Sequence, residues 1–402
     1  MTQHEKRIVG SETVRMLELG HPWVVADGWT KRWPAGQPGQ LVSLTDEGGR
    51  FLATALLDPT DRIVARVLSR RRISLDHAWL TRQLLAAIDL RRNHADLGDT
   101  NAFRLVNAEG DGLPGLTVDR YADYLMVQIY CAGWRPHLKL VTRVLQELLE
   151  PQGIYEKTRP QNTRELEATV SSKRYGKLLA GQTAHERLEV RENGLTFLVS
   201  LEQGLNTGLF LDQRRNRCDL MTRVEGKRVL NLFSYTGAFS VAAAASGAER
   251  VTSVDASAGY NAWAMDNFGA NRLNPKRYEF ITADCLTALA DLTTQKRVFD
   301  LILMDPPSFS TTSKNRFTTR GGTSELVTAA LPLLTDGGLM ITSSNHQKLD
   351  VADYLKELRR GALKAGCELR VISLSGQPED FPYPVSFPEG RYLKYVTCVK
   401  QA

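Results

Sequence analysis

The sequence has 402 residues, of which 42% are hydrophobic and 24% charged, and its net charge is +6. This composition is typical of a soluble globular chain with two or three domains and excludes a disordered or fibrous protein. We expect neither a membrane-spanning segment nor a secretory signal, because no long apolar run is present. The five cysteines are scattered without a CxxC pair, so we expect no disulfide framework and no metal site. A cytoplasmic protein without membrane partners is expected, and its mild positive charge permits a nucleic-acid partner.

The N-terminal part of the chain has a sequence pattern typical of short β-strands. Residues 40–45 and 50–57 are apolar stretches joined by a Gly-Gly hairpin turn, and a third stretch follows at 63–68. Strands this short and close together predict a small β-barrel over residues 1–74.

The central part, residues 75–187, mixes helical and strand patterns. Apolar spacing predicts, in chain order, a helix, three strands and a second helix at 75–93, 103–107, 116–120, 124–129 and 138–149. The stretch 158–187 is polar and charged and predicts a loop or an extended arm. We therefore expect a compact α/β connector domain with a polar arm.

From about residue 188 to the C-terminus, apolar strands alternate with helices. Strands are predicted at 229–233, 250–254, 278–281, 301–304 and 339–342. Alternating strands and helices imply a Rossmann-like α/β fold with a parallel sheet and helices on both faces. Ligands of such sheets bind at the carboxyl ends of the strands.

Four features follow successive predicted strands in this last part. The first is a loop of small residues and aromatics, Phe233-Ser234-Tyr235-Thr236-Gly237, which is neither a GxGxxG fingerprint nor a phosphate-binding loop. The others are Asp255-Ala256, Asp284-Cys285 and Asp305-Pro306-Pro307-Ser308-Phe309. A carboxylate at Asp255 is placed to bind both hydroxyls of a ribose, and Asp284 is placed for the edge of an adenine.

Each feature has a simpler reading when taken alone. Asp255 and Asp284 could each cap a helix, and Phe309 could pack on the sheet instead of stacking on a flipped-out base. Together and in this order, the four features predict a class I methyltransferase with S-adenosylmethionine (SAM) as cofactor. The Asp305–Phe309 loop is then expected to hold the acceptor.

A family resemblance supports this prediction and extends it. Residues 188–402 resemble the catalytic domains of bacterial large-subunit ribosomal RNA methyltransferases, and the whole chain resembles the PUA-domain subgroup that makes 5-methylcytosine. The resemblance rests on the methyltransferase motifs and on residues 21–24, 109–120, 207–214 and 387–394. It implies an RNA-binding PUA-like domain at 1–74, a connector at 75–187 and a catalytic domain at 188–402. It also implies 23S ribosomal RNA or a ribosomal assembly intermediate as partner, and Asp212, Gln213 and Arg214 as residues that close the pocket or contact the acceptor.

The sequence departs from that subgroup at the nucleophile. Methylation of cytosine carbon 5 requires a thiolate that adds to carbon 6. In the resembled enzymes this cysteine follows a serine after the strand that succeeds Asp-Pro-Pro, whereas the equivalent stretch here, residues 339–347, contains none. Cys285 follows a strand but lies beside the predicted adenine site.

Other segments resemble a different branch, the large-subunit ribosomal RNA enzymes that make 7-methylguanine. These segments are residues 254–268, 307–310 with Ser313-Lys314, and Ser344-Asn345. Guanine N7 is already a nucleophile, so direct displacement requires only alignment with the methyl group and exclusion of water. We therefore favour guanine N7, with cytosine carbon 5 as the alternative.

Three polar residues near the predicted acceptor site could each have a binding role or a purely structural one. Asn345 could hydrogen-bond the base or complete a turn. Lys314 and Arg316 could hold RNA phosphates or be solvated. A small-molecule methyltransferase and a non-catalytic RNA-binding assembly factor are the alternative functions, and the oligomeric state is open, with a homodimer as one alternative.

Overall fold

A computed structural model describes residues 4–158, 174–307, 309–311 and 316–401, with side chains described outside 309–321. The chain forms two compact units, of which the first comprises Met1–Leu188, Ser200–Thr207 and Glu379–Gly390, and the second comprises Glu189–Val199, Gly208–Pro378 and Arg391–Ala402. The three-domain division at 74/75 and 187/188 stays a prediction. Ser308, Lys314 and residues 159–173 of the predicted arm lie outside the described residues.

The N-terminal part of the first unit is a five-stranded sheet. Its strands and its helix are β1 (Glu5–Ile8), α1 (Ser11–Glu18), β2 (Trp23–Val25), β3 (Leu41–Thr45), β4 (Phe51–Leu57) and β5 (Ile63–Ser69). The strand order is β1-β3-β4-β5-β2, and β3 and β4 form the predicted antiparallel hairpin. Buried side chains from these strands, including Val24, Val42 and Leu44, make its core.

A second five-stranded sheet follows in the same unit. Its elements are α2 (His77–His94), β6 (Ala102–Asn107), β7 (Leu116–Tyr121), β8 (Tyr124–Ile129), α3 (Leu138–Leu149), β9 (Gly153–Lys157) and β10 (Gly176–Gly181). The order is β10-β9-β8-β7-β6. Asp76 begins α2 by accepting a hydrogen bond from the main-chain N–H of Trp79, and Glu150 ends α3 in a left-handed conformation.

The strand β10 corrects one expectation. The sequence predicts a loop or arm over 158–187, but residues 176–181 pair antiparallel with β9 across a bulge between Leu178 and Ala180. Main-chain hydrogen bonds make this edge strand, and its side chains do not alternate in polarity. A reading based on polarity therefore misses it.

The second unit contains the predicted alternation of strands and helices. Its elements are β11 (Leu188–Glu192), β12 (Leu195–Val199), α4 (Arg214–Met221), β13 (Arg228–Leu232), α5 (Ala238–Ala245), β14 (Arg250–Asp255), α6 (Ala258–Ala270), β15 (Glu279–Thr282), α7 (Cys285–Thr294), β16 (Phe299–Met304), β17 (Phe309–Thr311), β18 (Arg316–Thr318), α8 (Thr319–Ala330), β19 (Leu334–Ser344), α9 (Val351–Lys364), β20 (Glu368–Ser375) and β21 (Lys394–Gln401).

Seven of these strands form one sheet in the order β15-β14-β13-β16-β19-β21-β20. The first five are parallel to one another, and β21 runs antiparallel to both of its neighbours. This confirms the predicted parallel α/β sheet. Among the described residues, no helix is long and apolar enough to cross a membrane.

Candidate active site

Carboxylates lie beyond the carboxyl ends of neighbouring parallel strands in the second unit. Asp255 is the last residue of β14, and Asp305 directly follows β16. Asp284 comes two residues after β15. The sheet grows in opposite directions from β13, so the loop after β13 lies at the point where such sheets bind ligands.

The loop after β13, residues 233–237, has positive φ angles, which residues with a side chain rarely adopt. Phe233 and Tyr235 have φ angles of 58° and 51°, and that of Gly237 is 76°. Such angles cost on the order of 1–3 kcal/mol at residues other than glycine and cluster at ligand-binding loops. At Gly237 a side chain is also excluded by space, because its Cβ atom would lie 2.7 Å from Cβ of Ala264. The loop therefore lets a ligand approach the main chain closely.

Two hydroxyl groups in this loop have different surroundings. The hydroxyl of Thr236 is fully buried and donates to the carbonyl of Gly208, so it fixes the loop from within. Ser234 is also buried, but its hydroxyl has no hydrogen-bond partner in the part of the chain that the structure describes. A buried hydroxyl without a partner costs about 1–3 kcal/mol. Ser234 thus fits a polar group of a bound ligand.

Main-chain N–H groups hold both carboxylate oxygens of Asp255. Oδ2 accepts a hydrogen bond from Tyr235 and Oδ1 from Ser257, each at 2.9 Å. Burial raises the pKa of Asp255, and these two hydrogen bonds act against the shift. Each oxygen has two acceptor positions, so each keeps one for a ligand hydroxyl. The next residue, Ala256, is exposed.

Asp284 and Cys285 begin α7. Oδ1 of Asp284 accepts hydrogen bonds from the N–H groups of Leu286 and Thr287, so the helix-cap reading holds for this oxygen. Cys285 is buried among the apolar side chains under the sheet. Burial raises the pKa of the Cys285 thiol well above its usual range. Only the main chain of Cys285 is therefore suited to face a cofactor, and the adenine contact of Asp284 stays a prediction.

Asp305 belongs to a hydrogen-bonded network. The side-chain amide of Gln213 donates to Oδ2 of Asp305 at 3.0 Å and to Oγ of Ser343 at 2.8 Å. Asn216 donates to Oε1 of Gln213 at 2.6 Å. Burial raises the pKa of Asp305 to about 6, the charge of Asp212 adds to that shift, and the hydrogen bonds from Ser343 and Gln213 oppose it. Asp305 is therefore mostly ionised at neutral pH.

The three residues before and at the start of α4 lie in different environments. Gln213 and Arg214 are buried, with 3% and 0% of their surfaces exposed. Asp212 is partly buried and accepts a hydrogen bond from the Tyr392 hydroxyl at 2.7 Å. Burial argues against direct contact of Gln213 and Arg214 with a substrate. It favours a role for Gln213 in positioning Asp305.

The turn after β19 contains Asn345, which is exposed as a base-binding residue would need to be. Lys394 holds this turn, because its buried ammonium donates to the carbonyls of His346 at 2.6 Å and Tyr392 at 2.7 Å. Burial lowers the pKa of Lys394 to about 8. No role for Lys394 follows from the sequence patterns above, although a lysine at the start of an apolar strand is a detectable signal.

The Asp-Pro-Pro loop leads into a two-stranded sheet. Pro306 is buried and Pro307 exposed. Phe309 lies on β17, and Arg316 lies on β18, which pairs antiparallel with β17. The roles predicted for Phe309 and Arg316 stay predictions, since only the main chain is described at these positions.

This geometry defines a class of protein. A parallel sheet with a single reversed strand next to its edge, and with carboxylates at successive strand ends, is the architecture of class I methyltransferases. The chain belongs to the S-adenosylmethionine-dependent methyltransferase family, whose model matches residues 110–385. The PUA-like domain model matches residues 8–70. The protein is therefore a SAM-dependent enzyme.

Relatives and solved structures agree with this assignment. The chain is 32% identical over 379 residues to ribosomal RNA large subunit methyltransferase I of Yersinia pseudotuberculosis, covering 94% of this chain and 95% of the relative. The crystal structure of SMU.776 complexed with SAH matches with a TM-score of 0.87 and 30% identity, over 98% of this chain and all of the other. A methyltransferase structure from Streptococcus mutans matches with a TM-score of 0.85, the same identity and the same coverage.

Replacement of Gln213 by Ala should shift the pH dependence of methyl transfer. The variant loses a hydrogen bond that lowers the pKa of Asp305, so the acidic limb of kcat/KM should move to higher pH. It should also lose about 1–3 kcal/mol of stability, because buried polar partners lose their donor. Thr222→Ala, an exposed change just beyond α4, is the matched control. An unshifted limb would contradict the positioning role.

Proposed function

We propose that this enzyme methylates a base of large-subunit (23S) ribosomal RNA, and that the acceptor atom is N7 of guanine. The RNA substrate is supported by the similarity over 94% of the chain to an enzyme named for large-subunit ribosomal RNA. The PUA-like match at residues 8–70 adds a domain suited to bind that RNA. In the proposed organisation, residues 1–74 bind RNA, 75–187 connect, and 188–402 carry out methyl transfer.

The positions of the cysteines favour guanine N7 over cytosine carbon 5 as the acceptor atom. All five lie among the described residues. None lies at the end of β19, where Ser343, Ser344 and Asn345 stand, or in the loop after Asp305. Cys398 is buried in the middle of β21, opposite Met340, and burial raises its pKa to about 12. No thiol therefore stands at the position where the resembled cytosine enzymes carry their nucleophile.

A guanine acceptor suits the groups that are present. N7 has an in-plane lone pair and requires no covalent catalyst from the chain. Methylation at N7 leaves a positive charge on the base, and the carboxylate of Asp305, with Asp212 nearby, favours that charge. Asn345 is exposed at the turn after β19, where it can hydrogen-bond the base.

The cofactor supplies an electrophilic methyl group when it is bound. The chain offers a partner for each of its polar parts. Asp255 would bind the ribose hydroxyls, and Asp284 with the main chain of Cys285 would contact the adenine. Ser234 and the main chain of the 233–237 loop would hold the amino-acid moiety. The unpartnered hydroxyl of Ser234 is the observation that favours this fit.

Nucleoside mass spectrometry of large-subunit ribosomal RNA tests the proposal, on cells with and without this gene. We expect 7-methylguanosine to be lost in the deletion strain and to return when the gene is supplied. Loss of 5-methylcytidine instead would replace guanine N7 by the alternative acceptor. Unchanged RNA would contradict the ribosomal RNA substrate itself.

Single replacement of each cysteine by alanine gives an independent test of direct displacement. We expect all five variants to keep kcat/KM within a few-fold of the original enzyme, because none of the thiols takes part in the reaction. The buried sites, Cys131, Cys285 and Cys398, should lose about 1 kcal/mol of stability, as is typical of core substitutions. Abolished turnover in one folded variant would identify a nucleophile and contradict the guanine assignment.

A further inference from the structure

Phe210 is an exposed aromatic residue on an otherwise buried segment. Its side chain is 40% exposed, whereas its neighbours Leu209 and Leu211 are each 4% exposed. The segment leads directly into Asp212 and Gln213, which adjoin Asp305. The ring of Phe210 is therefore open to a binding partner, whereas the side chains on either side of it are not.

The main chain around Phe210 is firmly held. Its carbonyl accepts hydrogen bonds from Arg217 at 2.7 Å and from the N–H of Gln213 at 3.2 Å. Arg217 is itself fixed in a buried ion pair with Glu192. On the other side, Gly208 lies so close to the Trp263 ring that a Cβ atom would be 2.4 Å from it. The ring of Phe210 is therefore presented to solvent by a backbone that cannot easily withdraw it.

Phe210 also continues an aromatic row from the cofactor side of the site. Its ring centroid lies 5.2 Å from that of Tyr235, in the loop after β13, and the Tyr235 ring lies 4.6 Å from Tyr260 on α6. The main-chain N–H of Tyr235 binds Asp255. The row thus runs from the predicted ribose contact to an exposed ring beside Asp212.

We propose that the exposed ring of Phe210 stacks on the acceptor base when the base is out of its RNA helix. This rests on the function proposed above. Enzymes that act on a nucleobase must take it out of the stack and usually replace the lost stacking with aromatic side chains. A rigidly held ring that packs on Tyr235 of the loop after β13, two residues before the Asp212 whose charge acts on Asp305, meets that need. Phe210 is then a substrate-binding residue.

The test compares Phe210→Leu and Phe210→Trp on unmodified large-subunit ribosomal RNA transcripts. Phe210→Leu, which lacks the ring, should lower kcat/KM for RNA about tenfold or more, as expected from the loss of base stacking. Phe210→Trp, which keeps an aromatic ring, should retain the original kcat/KM. SAM affinity measured by calorimetry should be unchanged in both variants, which also shows that they fold. Met265→Leu is the matched control, since Met265 on α6 is likewise 40% exposed and should have no effect.

Each other outcome overturns the inference in a distinguishable way. Wild-type activity in Phe210→Leu would show that the ring does not bind the base. Weakened SAM binding in that variant would assign the ring to the cofactor instead. If the unaltered enzyme methylates no ribosomal RNA, the proposed function fails and this inference fails with it, whereas an active enzyme with a normal Phe210→Leu variant removes only the inference.

Discussion

Replacement of Asp305 by Asn should lower kcat/KM by about 100- to 1,000-fold, the range seen when one group that stabilises developing charge is removed. Asp305 lies just after the carboxyl end of β16, where the side-chain amide of Gln213 donates to Oδ2 of Asp305 at 3.0 Å. Its ionised form would favour the positive charge that a guanine acquires on methylation at N7, the acceptor proposed above. Since its pKa is about 6, kcat/KM of the original enzyme should rise with pH through about 6, and Asp305→Asn should lack this limb.

Asp305→Asn should raise the free energy of unfolding at neutral pH although it lowers activity. Burial raises the pKa of Asp305 from 3.8 to about 6, so the folded protein binds this proton more tightly than the unfolded chain does. The resulting stabilisation is complete below about pH 4 and is lost as the pH rises through 6, a difference of about 3 kcal/mol. Asp305→Asn should therefore be more stable than the original enzyme at pH 7.5 and similar to it near pH 4, as measured by denaturant unfolding.

Asp300 is a matched control on β16, the strand that leads into Asp305. An ion pair with Arg228 lowers the pKa of Asp300 to about 2, so Asp300→Asn should reduce stability at neutral pH and leave kcat/KM unchanged. Opposite effects on stability from the same substitution, near the start of β16 and just after its end, would separate the two environments. A fully active Asp305→Asn enzyme would show that Asp305 has only a structural role.

The sheet of the second unit could be predicted because each of its central strands is indicated by residues close together in the sequence. The apolar runs at β13, β14 and β16 are bounded by turn residues, and each leads into a helix pattern, so period and spacing suffice. Pro151 likewise marks the end of α3. The strand at residues 176–181 was not predicted, because it forms by main-chain pairing with β9. No pattern of side chains indicates such pairing.

The site could be predicted only where it follows the strand ends. Asp255 and Asp305 are visible in the sequence because each comes directly after an apolar run. The partners of these residues are not visible, since Gln213 reaches Asp305 across 92 positions of the chain and Lys394 reaches the His346 carbonyl across 48. Such contacts depend on tertiary structure. For this reason the resemblance implies only that Gln213 closes the pocket or contacts the acceptor, and the sequence does not predict that it supports Asp305.

Replacement of Asp255 by Ala should weaken SAM binding about 100-fold. Two hydrogen bonds that the ribose hydroxyls would donate to this carboxylate are worth about 1.5 kcal/mol each, and their sum of about 3 kcal/mol corresponds to two orders of magnitude in Kd. The substitution also removes the acceptors for the N–H groups of Tyr235 and Ser257, which should loosen the loop after β13. Isothermal titration calorimetry with SAM measures the effect directly.

Asp255→Asn should be nearly as damaging, although it preserves shape. Both carboxylate oxygens accept main-chain N–H groups, so an amide must point its own N–H group at one of these donors. Glu279→Gln is the matched control: it neutralises a carboxylate of the adjacent strand β15 at its amino end, where Glu279 pairs with Arg297, and it should leave SAM affinity unchanged. Equal affinity for SAM in Asp255→Ala and the original enzyme would remove Asp255 from the cofactor site, whereas equal losses in Asp255→Ala and Glu279→Gln would mean that general negative charge, and not a ribose contact, attracts the cofactor.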